Sequence, residues 1–367
     1  MTKKVLVLGA SGVVGYSALE QFINEDCEVI SVSRRKPELS SGKPFQHFSV
    51  DLRDEEKSKQ LFSQLTDVTH VVYAALFEKP GLIEGWSEQD QMDTNLQMMK
   101  NVFEPLCAVA KNLKHVTTLQ GTKAYGIHLH PMPIPAKEKA PRDKHPNFYW
   151  LQEDYTRAKA KEYGFDFTIL RPQLIIGAPY GVAMNLAPII GAFAAICAEE
   201  GEPCGFPGGP SYVWEAVDAR LVAKVISWAG ESEAASGQHF NVTNGDVFEW
   251  RNLWPAMMET LGITAGDDKP MSVVDFMKEK SGVWNKIVEK HHLKANSLKD
   301  LIGESHHYAD FCFAYGLDSP PPPAFVSSIK LRQAGFCDVM DTQETFTDWL
   351  VHLMDRHILP SPKNRKI

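Results

Sequence analysis

The sequence predicts an α/β fold: a doubly wound parallel sheet with a smaller, mostly helical C-terminal substrate lobe. Three observations lead to it. Short Val- and Leu-rich runs alternate with stretches of helical apolar spacing through the first half of the chain, as in a parallel sheet covered on both faces. A glycine-rich turn joins the first strand to the first helix. Beyond about residue 178 the pattern becomes irregular, with helices rich in Met, Phe and Trp.

The first unit is "KKVLVLGA", a strand ending in glycine, then the helical "SGVVGYSALEQFINED" and the strand "CEVISVS". Glycines in the turn let the backbone approach a pyrophosphate at the positive end of the helix, where free N–H groups point outward. Gly9, Ser11, Gly12, Val13, Val14 and Gly15 are therefore the expected cradle of a Rossmann-type dinucleotide site. The end of the second strand selects the dinucleotide, because a carboxylate there would bond the ribose and repel an added phosphate. Here Ser33, Arg34 and Arg35 offer guanidinium groups suited to a 2′-phosphate, so NADP(H) is expected. Two solvated arginines opening a loop are the alternative.

The strand "FQHFSVDL" ends at Asp51 and Leu52, where the carboxylate can take the adenine amino group and the leucine can pack on the ring. "VTHVVYAAL" ends in Ala74 and Ala75, small enough for a nucleotide to lie across the sheet edge. A helix around 95–110 comes next, then strand and loop in "LKHVTTLQGTKAYG". A helix opening at Tyr149 and capped by Gly164 leads to a strand at 167–170, with Leu174 and Ile175 beyond it counted in the cofactor site. Residues 1–177 are the expected dinucleotide-binding domain and 178–367 mainly the substrate lobe, with about 211–245 returning to the first domain.

At 367 residues and 44% hydrophobic content, the chain can bury a core large enough for two lobes. With a net charge of -8 and acidic residues spread along it, it has no basic block for nucleic acid and no attraction to an anionic membrane. "MTKKVLVLGASG" runs into a strand without the features of a signal peptide, so a cytoplasmic protein is expected. The longest apolar run, 187–198, contains proline and glycine and is too short to span a bilayer; it reads as a buried helix or pocket wall. Scattered cysteines and histidine pairs without suitable companions argue against disulfides and against a metal site.

"NFYWLQEDY" raises a chemical question. A cation four residues after a proton-donating tyrosine would lower the phenol's pKa from about 10, yet the residue four after Tyr149 is Glu153.

The glycine turn, "VDL", "YAA", the loop before "KAYG", the tyrosine at a helix start and "RPQLIIG" occur in the order found in extended short-chain dehydrogenase/reductases. The chain resembles that superfamily over nearly its whole length, but Gln120-Gly121 stand where serines fall and Glu153 where the lysine falls. The progesterone 5β-reductase/iridoid synthase-like (PRISE) enone reductases share both departures. This chain is similar to them at "LQGTKAYG", "NFYWLQED" and "FNVTNGDVFEWRNLW", differing at Trp150 and in the loop "IHLHPMPIPAKEKAPRD".

The resemblance implies NADPH-dependent reduction of an activated C=C bond, with hydride reaching the β-carbon and charge collecting on the oxygen. Tyr149 would donate a hydrogen bond to that oxygen and is counted in the cofactor site as well. Lys123 would replace the helix lysine from another direction, holding the phenol, the cofactor ribose or both. Glu153 and Asp154 are expected in the first turns of their helix, where negative charge is favourable, rather than as acid and base. The expected substrate is a small apolar enone or carbonyl compound, under a pocket walled by "APYGVAMNLAPIIGAFAAICAEEG", "SVVDFMKEKSGVWNKIVEKHHL" and "ADFCFAYG". Carbonyl reduction, NADP(H) sensing without turnover and, more distantly, nucleotide-sugar epimerisation stay open, as does a homodimer.

Overall fold

A computed structural model of the chain describes residues 3–362. β1 (Lys4–Leu8) leads through α1 (Val13–Asn24) to β2 (Glu28–Ser33) and β3 (Gln46–Ser49). Three further pairs follow: α2 (Glu55–Phe62) with β4 (His70–Tyr73), α3 (Gln89–Val109) with β5 (His115–Leu119), and α4 (Phe148–Tyr163) with β6 (Asp166–Pro172). Next come β7 (Ile175–Ile176), α5 (Leu186–Glu199), β8 (Val213–Trp214), β9 (Val217–Asp218), α6 (Ala219–Ala229) and β10 (Gln238–Val242). The main sheet is parallel, in the order β10-β6-β5-β4-β1-β2-β3. The winding direction reverses between β1 and β4, which opens a crevice at their carboxyl ends.

The pleat explains the apolar runs. Val5 and Val7 pack with α1 and α6 on one face, while Leu6 and Leu8 pack with residues of α2 and α3 on the other. α3 begins at Gln89, earlier than its apolar pattern suggests, because its first turns bury polar residues. Asn95 and Gln91 are among them: Asn95 Oδ1 accepts the Phe77 N–H at 2.9 Å and Gln91 Oε1 the Lys79 N–H at 3.0 Å.

The C-terminal part adds β11 (Phe248–Glu249), α7 (Trp250–Leu261), α8 (Val273–Lys278), α9 (Ser281–His291), α10 (Leu298–Ile302), α11 (Ser305–Cys312), α12 (Ile329–Gln333) and α13 (Thr342–Asp355). α5 is buried around its whole circumference from Leu186 to Cys197, as a helix apolar on all sides must be. The "NVTN" segment ties this part to the sheet. Asn241 Oδ1 accepts from Tyr125 Oη at 2.6 Å, and Asn244 joins the Asp218 N–H to the hydroxyls of Thr342 and Thr345.

Glu215, between β8 and β9, is 8% exposed and accepts N–H bonds from Val326 and Gln173. Burial pushes its carboxyl up to about 7. The folded state therefore binds this proton more tightly than the unfolded chain. Its contribution to stability is full below the unfolded carboxylate range and is lost as pH rises through about 7. Glu215→Gln keeps an oxygen for both donors and should stabilise the protein at pH 8 by up to about 3 kcal/mol, with the gain vanishing near pH 5. Thermal unfolding at the two pH values checks this, and an equal gain at both would contradict it.

Candidate active site

At the carboxyl end of β1 the chain turns at Gly9, whose φ is 77°. A Cβ there would lie 2.6 Å from backbone atoms of Ala74 and Ala75, and one at Gly15 would lie 2.2 Å from the Gly9 carbonyl oxygen. Only glycine lets the turn, the helix and the end of β4 approach so closely. No side chain caps the first turn of α1, which leaves N–H groups for an anion. These features fit the pyrophosphate of a dinucleotide.

A cleft of about 1100 Å³ runs from this turn toward the C-terminal helices. Gly9, Ser11, Gly12, Val13 and Val14 line it at the turn, Ser33, Arg34 and Arg35 at the end of β2, and Asp51 and Leu52 after β3. Ala74, Ala75, Leu174 and Ile175 line its middle, and Lys123 and Tyr149 stand in the same cleft. Gly15 is not among the lining residues, and its place is the helix-to-turn contact.

The arginine corner is held through its backbone, with Ser33 Oγ donating to Arg35 O at 2.7 Å and Ser49 Oγ to Arg34 O at 2.8 Å. Arg53 grips the Asp51 carboxylate through Nε at 3.0 Å and Nη2 at 2.6 Å, holding it below the usual carboxylate range. Leu52 is 5% exposed and belongs mainly to the core beside Ile30 and Phe103.

A 3-10 turn over Thr122–Tyr125 brings Lys123 into the cleft. Its ammonium lies 3.9 Å from Glu78 Oε1 and 3.9 Å from the centre of the Trp86 ring. Burial lowers its pKa, and Glu78 opposes that shift. No hydrogen bond joins Lys123 to Tyr149 among the described residues.

Asn147 caps α4 by accepting the Tyr149 N–H at 3.0 Å. Tyr149 packs with Met92, Ala124 and Phe148. Burial, then Glu78, push its phenol up while Arg171 pulls it down, and the net shift keeps it protonated near neutrality. A Cβ at Gly121 would come within 3.2 Å of the phenol oxygen, so the glycine makes room for that hydroxyl.

Glu153 departs from expectation. It lies in the second turn of α4, is 4% exposed in its side chain, and is not an N-terminal dipole partner. It accepts from Gln120 Nε2 at 2.9 Å and Arg157 Nε at 3.0 Å, and pairs with Arg142 at 2.9 Å and His239 at 3.1 Å. Burial opposes its ionisation, but His239, Arg142 and Gln120 hold it well below the usual range. Gln120 Oε1 accepts in turn from Arg171 Nε at 2.8 Å. The acidic residue thus fixes Gln120, next to the Gly121 that accommodates the phenol. Asp154 stays exposed, its carboxylate bonded by Arg142 at 2.6 Å.

The pocket walls match expectation in part: residues 181–184 of "APYGVAMNLAPIIGAFAAICAEEG" and Asp310, Phe311, Ala314 and Tyr315 of "ADFCFAYG" line the cleft, while the segment from Ser272 to Leu293 does not. No residue of α5, α8 or α9 lines the cleft. α5 is taken up by the core, and α8 packs on α11 instead. Met184, Tyr212, Trp214, Tyr308, Phe311 and the prolines at 321–323 form the wall. Glu78 and Trp86 had no sequence signal, because two acids and a tryptophan in the irregular stretch "LFEKPGLIEGWS" match no periodic or spaced motif.

Residues 5–243 match the NAD dependent epimerase/dehydratase family. The protein belongs to this family. Within it, the chain is 33% identical over 380 residues to the (S)-8-oxocitronellyl enol synthase ISY1 of Nepeta racemosa, covering 97% of this chain and 92% of that one. It is 31% identical over 368 residues to the 3-oxo-Δ(4,5)-steroid 5β-reductase of Arabidopsis thaliana, covering 94% and 90%. The resemblance to the enone reductases is confirmed, and this epimerase-family chain is an enzyme. UDP-glucose 4-epimerase of Thermotoga maritima, solved with UDP-glucose, superposes with a TM-score of 0.67 at 16% identity, over 96% of this chain and 99% of that one. At that identity the likeness is one of fold, and the fold is the Rossmann type of a family dependent on nicotinamide dinucleotides.

Proposed function

We propose that the protein reduces the C=C bond of small, apolar α,β-unsaturated carbonyl compounds with NADPH. The observation that carries this reading is the buried, protonated Tyr149, set against glycine rather than a serine hydroxyl, in the cleft that begins at the dinucleotide turn. The names of the relatives support it, since a 3-oxo-Δ(4,5)-steroid is an enone.

A bound reduced nicotinamide supplies hydride. Tyr149 donates its O–H to the substrate oxygen, a bond that strengthens as negative charge collects there. Its raised pKa keeps the phenol a donor rather than a base. Lys123 adds positive potential from the loop after β5 rather than from α4, and water supplies the α-carbon proton. Trp86, Met184, Tyr308 and Phe311 give an apolar surface for the rest of the substrate.

Purified protein with NADPH and 2-cyclohexen-1-one should yield cyclohexanone, identified by mass and chromatography. 2-Cyclohexen-1-ol would overturn the reading in favour of carbonyl reduction, and tight NADPH binding without consumption across a panel of enones and aldehydes would overturn it in favour of sensing.

Arg34 and Arg35 at the cofactor corner favour the 2′-phosphate. Replacing both with alanine should raise KM for NADPH about 10-fold or more while leaving KM for NADH nearly unchanged. Parallel loss with both cofactors would contradict the assignment.

A further inference from the structure

We infer that Glu78 is a positioning residue for Lys123, fixing with the Trp86 ring where the ammonium stands in the cleft and keeping it charged. The inference rests on the proposed role of Lys123 at the reacting centre.

The carboxylate is built in. α3 pins the segment that carries it, because Asn95 bonds both backbone groups of Phe77 and Gln91 Oε1 takes the Lys79 N–H. With its oxygen so engaged, Gln91 turns its amide N–H toward Glu78 and donates to Oε2 at 2.7 Å. Glu78 Oε1 has no hydrogen-bond partner among the described residues, its side chain is 5% exposed, and the group it faces is the Lys123 ammonium at 3.9 Å. Trp86 closes the other side, its own ring held edge-on against Phe311 at 5.7 Å.

Burial pushes the Glu78 carboxyl up and the Lys123 ammonium down, each toward its neutral form, and each opposes the other's shift, so with the aromatic face beside them the two form a mutually dependent set. Removing the carboxylate leaves the ammonium desolvated and uncompensated. His128, Tyr149 and Tyr308, which line the same cleft, are uncharged near neutrality. Burial, with His145 and Lys123, holds His128 at about 4, and burial pushes the phenols of Tyr149 and Tyr308 up. Glu78 is therefore the carboxyl group that bears on Lys123, and it bears on Tyr149 as well.

The test reads the charge of Lys123 directly. Competitive acetylation with acetic anhydride at a series of pH values, quantified by mass spectrometry of the Lys123 peptide, gives the midpoint of its titration. In Glu78→Gln this midpoint should fall by about 1 pH unit or more, and Glu78→Asp should restore most of the shift. Trp86→Leu, which keeps the carboxylate, should lower it by less. The alkaline limb of kcat/KM for enone reduction should move in step with the labelling. An unchanged midpoint in Glu78→Gln, or in Trp86→Leu if the first variant does not fold, overturns the inference whatever happens to turnover. Absence of enone turnover in the unaltered protein overturns the functional reading instead, and the midpoint still decides whether Glu78 sets the charge of Lys123.

Discussion

Replacing Tyr149 with phenylalanine should lower kcat for enone reduction by about 10²–10³-fold, the usual cost of losing one oxyanion donor. NADPH affinity should be unchanged, because the glycine cradle and the arginine corner lie at the other end of the cleft. The fold should also be unchanged. The ring packs against Met92, Ala124 and Phe148, and phenylalanine keeps every one of those contacts. Steady-state kinetics, direct NADPH titration and a thermal melt on the same preparation separate these effects. A variant with near-native kcat would show that the phenol does not bear the charge that develops on the substrate oxygen.

Glu153→Lys should destabilise the protein rather than improve it, although it would recreate the tyrosine–lysine spacing common in the wider superfamily. The substitution removes the acceptor shared by Gln120, Arg142, Arg157 and His239 and sets a third long cation beside Arg142 and Arg157, with Arg171 one side chain further away. Breaking a buried pair costs about 3–5 kcal/mol, a large share of the roughly 5–15 kcal/mol that holds a domain folded. Urea unfolding should show that loss, and Glu153→Gln, which still offers an oxygen to Gln120, should lose less. A stable Glu153→Lys protein with enhanced carbonyl reduction would contradict the account of this cluster.

The contrast between these two residues shows what the sequence carries. The place of Tyr149 at a helix start was legible because the signal for it is local. Gly9 was legible for the same reason, since the need for a positive φ next to a strand end is a short-range requirement. Glu153 was misread because its partners come from residues 120, 142, 157 and 239, and three of those four lie outside its own helix. Glu78 escaped notice in the same way, its meaning supplied by Gln91 on α3 and Lys123 beyond β5. The pocket wall was legible only in part, at residues 181–184 and in "ADFCFAYG", for a different cause. Aromatic and methionine-rich helices look alike whether they face a ligand or a core, and α5, α8 and α9 belong to the core.

The measurement that tests conjugate reduction most directly is the fate of a label from NADPH. Protein supplied with NADPH deuterated at C4 of the nicotinamide and with 2-cyclohexen-1-one should give cyclohexanone carrying deuterium at C3, the former β-carbon, with a solvent proton at C2. Deuterium at the carbonyl carbon of 2-cyclohexen-1-ol would contradict the account, since it would mean that Tyr149 and Lys123 serve a carbonyl reductase.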